Sequence, residues 1–414
     1  VSVAEPVLYD PFEPGFHEDP YRQYALLREH DPVHRTAFGP YVLTRYADVF
    51  AVLRDASLSV EDRHLDGELR DAVATVLADE PERAGRERGS RAILNIDPPD
   101  HTRIRRLVAK VFTPRRIEGL RPHVQALVDE ALDRVAPSGT MDLIEDLAFP
   151  LPFTVISELL GMPEGERDDV RRWSGDLVKI LDPVLDPDDV RRAYDASDRL
   201  DELLEHTLAW KRAHPGDDLL TALLSVEDDG EVLSTEELRD QVVLLYLAGH
   251  ETTVNLIGNG VLALLRHPDQ LARLQADPSL DAGAVDELLR YDCPVQHSRR
   301  ITLAELAIGD VTIPAGTLVL TVLGAANRDP EQWGPTADEL DLTRPGAGQH
   351  VSFGSGSHYC LGASLARLEA QVAIGSLVRR VPDLALASDE LTYNGRLTLR
   401  GLAELPLRFT PESA

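Results

Sequence analysis

Apolar side chains recur every three to four positions through most of this chain, the signature of amphipathic helices. The spacing predicts helices over Tyr21–Glu29, His101–Phe112, Ile117–Val135, Phe153–Leu160 and Val190–Ala213, then over Thr235–Leu265, Pro268–Ala276, Ala282–Tyr291 and Ala363–Val381. Strand-like alternation is confined to short stretches: Tyr41–Thr44, Arg300–Ile301, Leu306–Ile308, Thr317–Leu323 and Leu397–Leu407. The pattern therefore predicts a mainly α fold with a small β portion contributed by both ends of the chain. Ser59–Ile96, rich in Asp, Glu, Arg and Gly, has the weakest periodicity and reads as a mobile loop with a short helix. No repeat or low-complexity linker divides the sequence, so residues 1–414 read as a single domain.

One predicted helix stands apart. From about Glu236 to Leu265 its apolar positions continue nearly all round, as in a helix buried on every side. At 1.5 Å per residue it would run roughly 45 Å, enough to cross a domain. Yet its middle reads Ala248-Gly249-His250-Glu251-Thr252-Thr253. A glycine inside a helix costs about 1 kcal/mol relative to Ala, and here a carboxylate and a hydroxyl follow it. Gly249 and Thr252 share a face; a helix that widened there could seat dioxygen and relay protons to it. A zinc-protease helix would require a second His four residues after His250, where Val254 stands. A buried polar patch satisfied by helix carbonyls is the other reading.

Composition narrows the function classes. The net charge of −29 argues against nucleic acid or an anionic membrane surface as partner. The only cysteines, Cys293 and Cys360, make no disulfide framework and fit a reducing cytoplasm. The acidic start, Val1 to Pro6, does not read as a secretion signal. The longest apolar stretch, Val242–Gly249, is far too short to span a bilayer. A soluble cytoplasmic protein without a membrane partner is expected. An Arg, Ala and Leu bias with only three lysines (Lys110, Lys179, Lys211) fits a GC-rich bacterial genome.

Cys360 lies in Phe353-Gly354-Ser355-Gly356-Ser357-His358-Tyr359-Cys360-Leu361-Gly362, just before the last long predicted helix. Glycines there would clear one side of the backbone for a planar ligand and allow a tight hairpin. The helix after Gly362 would turn its positive end toward the sulfur, favouring a thiolate. The bland reading is one more buried thiol in a turn. However, the order Phe-Gly-x-Gly-x-His-x-Cys-x-Gly resembles the haem-ligand signature of the cytochrome P450 family.

The resemblance extends in chain order to the Glu251-Thr252 segment, to Glu287-Leu288-Leu289-Arg290 and to Leu342-Thr343-Arg344-Pro345, with the Tyr41–Thr44 strand before them and Arg400–Pro406 after. It implies the cytochrome P450 fold, with the long central helix crossing a buried haem b (iron protoporphyrin IX). Cys360 would be the iron ligand. Ala248, Gly249, Phe353, Gly354 and Gly362 would pack the haem, while His101, Arg105, Arg300 and His358 would hold its propionates; Arg299 could take the place of Arg300. Glu251 would feed protons and Thr252 would steady the oxygen bound at iron. Glu287, Arg290 and Arg344 would form a buried ionic triad that locks the fold. Pairs with the same spacing, Glu80/Arg83, Glu118/Arg121, Glu164/Arg167 and Glu236/Arg239, read as solvated contacts.

The implied activity is insertion of one atom of O2 into a hydrophobic small molecule, as in natural-product metabolism. No Gly-rich nucleotide fingerprint or iron–sulfur cysteine set occurs here. Electrons would therefore come from NAD(P)H through a separate ferredoxin and ferredoxin reductase. Arg103, Arg106 and Lys110 form a basic stripe that reads either as a solvated face or as a docking patch for that acidic donor. By position in the family, Leu244, Leu245, Val295, Gln296, His297, Thr398 and Leu399 would line the substrate pocket, with the Ser59–Ile96 loop beside them. A peroxide-driven relative would replace Glu251-Thr252, and a non-catalytic scaffold would lose Cys360 or the Glu-x-x-Arg pair; the sequence keeps all of these.

Overall fold

The computed structural model describes residues 8–37, 39–67, 71, 90–162, 167–182 and 186–411. The helix Thr235–Arg266 runs 32 residues through the core, about 48 Å at 1.5 Å per residue. Ser234 opens it with a capping box: its hydroxyl accepts from the Glu237 N–H, and Glu237 accepts from the Ser234 N–H. Three helices cover it: Pro150–Leu160, Asp281–Tyr291 and Ala363–Arg380. Glycines let these helices and the turn Ile144–Ala148 close in. A Cβ on Gly258 would sit 2.9 Å from Ile144, and one on Gly260 would sit 3.2 Å from both Ile374 and Leu288. That packing on several sides explains why the sequence is apolar nearly all round.

Most predicted helices are present with shifted ends. Asp100–Val111, Pro150–Leu160 and Pro187–Ala213 begin earlier than the apolar pattern, because their first turns hold Asp or Pro. The helix expected over Ile117–Val135 is two, Pro114–Glu118 and Arg121–Val135. The break falls at Gly119-Leu120, ahead of Pro122, which lacks the N–H that an uninterrupted helix would use. Tyr46–Arg54, Leu219–Ser225 and the polar helix Arg167–Leu177 were not predicted.

The main sheet has five strands, in the order Val33–Arg35, Tyr41–Leu43, Leu318–Val322, His297–Thr302, Leu58–Ser59. Tyr41–Leu43 and Leu318–Val322 run parallel; the other neighbours are antiparallel. The strand-like stretch expected over Leu397–Leu407 is present only in its second half and in two pieces. Leu402–Glu404 and Pro406–Arg408 join different sheets, and residues 394–400 form a loop. Of the Ser59–Ile96 segment, Asp62–His64 makes one 3-10 turn, while residues 68–70 and 72–89 lie outside the described residues. Among the described residues no helix is long and apolar enough to cross a membrane.

Candidate functional site

The loop before Ala363–Arg380 folds back on itself. The Cys360 N–H donates to the Phe353 carbonyl at 2.9 Å, and the Gly354 N–H donates to Val351 at 2.8 Å. Gly354 and Gly356 hold positive φ angles of 69° and 70°. A Cβ on Gly356 would lie 2.8 Å from the Leu53 carbonyl oxygen, so a larger residue is barred on two counts. Cys360 itself is exposed, yet protein surrounds it densely enough that burial pushes its thiol pKa up. These facts agree if the sulfur faces a hollow within the protein rather than bulk water. The Gly362 N–H and the charges of Arg105 and Arg367 oppose the shift. The sequence-predicted preference for thiolate therefore does not win for the free thiol; a coordinated metal would supply the missing positive charge.

A basic cluster stands beside that loop. The rings of His101 and His358 lie 4.2 Å apart. His101 is 2% exposed, and among the described residues neither of its ring nitrogens has a partner. Buried polar atoms are nearly always paired, so these two mark room for a polar ligand. Arg105 donates to the Tyr359 carbonyl, which brings it to the same loop. Burial lowers the pKa of His101, with the charge of Arg105 as the next cause. Burial, then His101, Arg300 and Arg105, push His358 down to about 3. Arg300 is buried and pushed down to about 10 by desolvation. Arg299 instead turns to Asp62 at 2.8 Å, so Arg300 is the one that joins the cluster. Basic groups that suppress one another's charge this way would accommodate an anion, and the two propionates of a haem fit that donor set.

The long helix presents a stripe to open space. Ala248 is exposed midway along a helix otherwise exposed only at its ends, and Leu244, Leu245, Gly249 and Thr252 are partly accessible. Leu244, Ala248 and Thr252 are spaced at four, which puts them in one row. The helix does not widen here; it stays α-helical throughout. The Thr252 hydroxyl donates to the Ala248 carbonyl at 3.1 Å. A Cβ on Gly249 would meet Ile156 at 2.9 Å, so the glycine admits the helix Pro150–Leu160. Glu251 is ion-paired with Arg396. Its carboxylate lines a cavity of about 330 Å³ shared with Arg171, Ser174, Gly175, Asn255 and Asn394.

Several expected pocket residues are elsewhere. The His297 imidazole is taken by the Tyr9 hydroxyl at 2.8 Å and is 4% exposed. Gln296 is 1% exposed, and its amide donates to the Cys293 carbonyl. Gln296 precedes the strand His297–Thr302 and His297 opens it, so alternation does not set their direction, and both turn into the core. Leu399 is also buried, bridging to Val295. Val295 remains partly accessible, and the Thr398 hydroxyl donates to Leu181 at 2.9 Å.

Glu287, Arg290 and Arg344 meet in one buried cluster, with Arg344 3.1 Å from the carboxylate that Arg290 holds. Of the look-alike pairs, Glu118–Arg121 is exposed, and Arg239 turns to Asp201 and Asp240; Glu80/Arg83 and the Glu164 partner of Arg167 lie outside the described residues. The basic stripe is not a free face either. Arg103 pairs with Glu237, while Arg106 and Lys110 converge on Asp228. The turn at Asp228–Glu231 folds over them, which a single-helix reading could not foresee.

Sequence reasoning also missed Arg396 and Asp182. Both sit in segments without periodicity, and their roles come from contacts more than 140 residues away in sequence.

The family model described as cytochrome P450 matches residues 75–381. The chain is 47% identical over 406 residues to cytochrome P450 107B1 of Saccharopolyspora erythraea, covering 96% of each. It is 45% identical over 415 residues to the vitamin D(3) 25-hydroxylase of Pseudonocardia autotrophica, covering 98% of each. Among solved structures, a myxobacterial cytochrome P450 in complex with myristic acid superposes with a TM-score of 0.88 at 38% identity, over 97% of this chain and 99% of that one.

Proposed function

The chain belongs to the cytochrome P450 family and is a bacterial cytochrome P450 monooxygenase; from that premise we propose that it inserts one oxygen atom from O2 into a C–H or C=C bond of a hydrophobic small molecule. The cofactor is haem b. Electrons arrive from NAD(P)H through a separate ferredoxin and ferredoxin reductase, in the cytoplasm. Haem held by a thiolate supplies O–O cleavage when bound.

The chain's own residues divide the remaining work. Cys360 offers its sulfur to the iron, from a loop whose glycines keep side chains off the ring. His101, His358, Arg105 and Arg300 hold the propionates. Thr252 presents its hydroxyl on the open stripe, where it could hold or pass a proton by trading its bond to the Ala248 carbonyl. Glu251 stands next in sequence, in contact with a cavity from which it can take protons. Leu244, Leu245 and Val295 give the pocket apolar walls, which exclude water and favour a hydrophobic guest. The names of the relatives, a 25-hydroxylase of vitamin D(3) and a protein solved with myristic acid, support a guest of that class.

The observation that carries this reading is the placement of Cys360, exposed on a glycine-bearing loop to which Arg105 is hydrogen-bonded and beside the His101–His358 ring pair. The test is the carbon monoxide difference spectrum of the dithionite-reduced protein, for wild type and Cys360→Ser. A strongly red-shifted Soret band that disappears in the variant is expected. A band indifferent to the substitution would overturn the assignment.

A further inference from the structure

The loop 394–398 touches two elements that otherwise meet sparingly. One is the long helix, through the ion pair of Arg396 with Glu251. The other is the outer helix Arg167–Leu177 and the turn after it. Arg396 also donates to the Gly175 carbonyl at 3.3 Å, and the Leu397 and Thr398 N–H groups donate to Asp182 at 3.2 and 2.7 Å. The Thr398 hydroxyl closes the contact on Leu181. The outer helix packs chiefly on Pro187–Ala213. Among the described residues it also meets the long helix through Ser174, 3.2 Å from the imidazole of His250, one residue before Glu251.

One guanidinium thus serves a carboxylate on one element and a backbone carbonyl on the other. Its fork is planar and rigid, so it satisfies both only when the two elements hold one separation. The cavity beside Glu251 lies at this junction, with Gly175 and Arg396 in its wall. A Cβ on Gly175 would meet nothing within 4 Å, so that wall is open.

We infer that Arg396 is a positioning residue for Glu251, and that the 394–398 loop clasps the outer helix so that docking of that helix and seating of the acid are one event. Arg396 aims the carboxylate into the cavity, where water reaches it, and Asp182 fixes the loop that carries Arg396. The consequence for proton supply rests on the monooxygenase reading above; the clasp itself does not.

Two readouts separate these parts. Amide hydrogen exchange over 167–181 in the haem-loaded ferric protein reports docking without turnover. The kinetic solvent isotope effect on product formation reports proton supply. Arg396→Ala should speed exchange about tenfold, as expected when a local tie is lost, and should roughly double the isotope effect by slowing proton transfer. Arg396→Lys, or added guanidinium ion with Arg396→Ala, should recover most of the isotope effect. Asp182→Ala should produce both changes, although the Asp182 contacts described above do not include Glu251. If Arg396→Ala folds poorly, Arg396→Gln and Asp182→Asn carry the same readouts in milder form. Wild-type exchange in Arg396→Ala would overturn the clasp, and faster exchange with an unchanged isotope effect in Asp182→Ala would overturn the coupling. The exchange result does not depend on the carbon monoxide spectrum, whereas the isotope effect is read only in protein that gives the red-shifted band, so failure of the clasp and failure of the monooxygenase reading stay distinguishable.

Discussion

Arg290 grips Glu287 through two parallel hydrogen bonds, of 2.7 and 2.8 Å, at a point where neither side chain has any exposure. The rest of the guanidinium is spent on the carbonyls of Asn327, Ala337 and Glu339. The pair therefore ties the helix Asp281–Tyr291 to the segment that leads toward Cys360. Removing one partner would leave the other charge buried, a loss of about 3–5 kcal/mol. Arg290→Leu should lower the urea midpoint of the haem-loaded protein accordingly. Glu118→Gln, which breaks the exposed pair with identical spacing, should change stability by less than about 1 kcal/mol. Equal effects would show that burial does not distinguish the two.

Gly249 makes a second prediction, because its missing side chain is filled by Ile156. Gly249→Ala should gain helix propensity of about 1 kcal/mol but lose more to overpacking, typically 1–3 kcal/mol. In an Ile156→Ala background, which removes both the Cγ1 and the Cδ1 atoms that the new methyl would meet, the same change should be neutral or stabilising. A double-mutant cycle on unfolding free energy measures this coupling. Additive effects would mean that the contact does not limit the site.

What the sequence made legible follows from how each signal arises. The long helix was visible because burial on several sides writes itself into 32 consecutive residues. The Cys360 loop was visible because its glycines answer to local backbone needs, as the positive φ of Gly354 and Gly356 shows. The destinations of Gln296 and His297 were not: Gln296 precedes the strand His297–Thr302 and His297 opens it, so alternation along the strand does not set their direction. The neutralisation of Arg106 and Lys110 by Asp228 was hidden for another reason: the partner is supplied by tertiary folding from more than 110 residues away. The same holds for Arg396 on Glu251. Local chemistry is encoded locally; the partners of long side chains are not.

That correction sharpens the expectation for the electron donor. Arg106 and Lys110 remain 48% and 45% exposed although they share Asp228, so the stripe keeps part of its field. Arg106→Glu should slow reduction by an acidic ferredoxin several-fold, and Asp228→Asn should accelerate it, both effects fading at high salt. Stopped-flow reduction at two ionic strengths reads this directly. Rates that ignore both substitutions would place docking on another face.

His297 supplies a prediction in pH. The Tyr9 hydroxyl holds its ring at 2.8 Å in the core, and burial pushes its pKa down to about 4. In the unfolded chain the same imidazole titrates near 6.5. Between these values the unfolded state binds a proton that the folded state refuses, so stability rises with pH across the window. The contribution is complete above about pH 6.5 and is lost progressively as pH falls toward 4, by about 3 kcal/mol in all. Below that the folded protein takes the proton too, and this group causes no further loss. His101, His250 and His350 are also held below their ordinary pKa by burial, so the wild-type curve alone cannot assign the slope. His297→Gln keeps an acceptor for Tyr9 without a titrating ring. Its urea midpoint should fall less than that of wild type between pH 7.5 and 4.5. Parallel curves would mean that His297 is not among the groups that make this fold sensitive to acid.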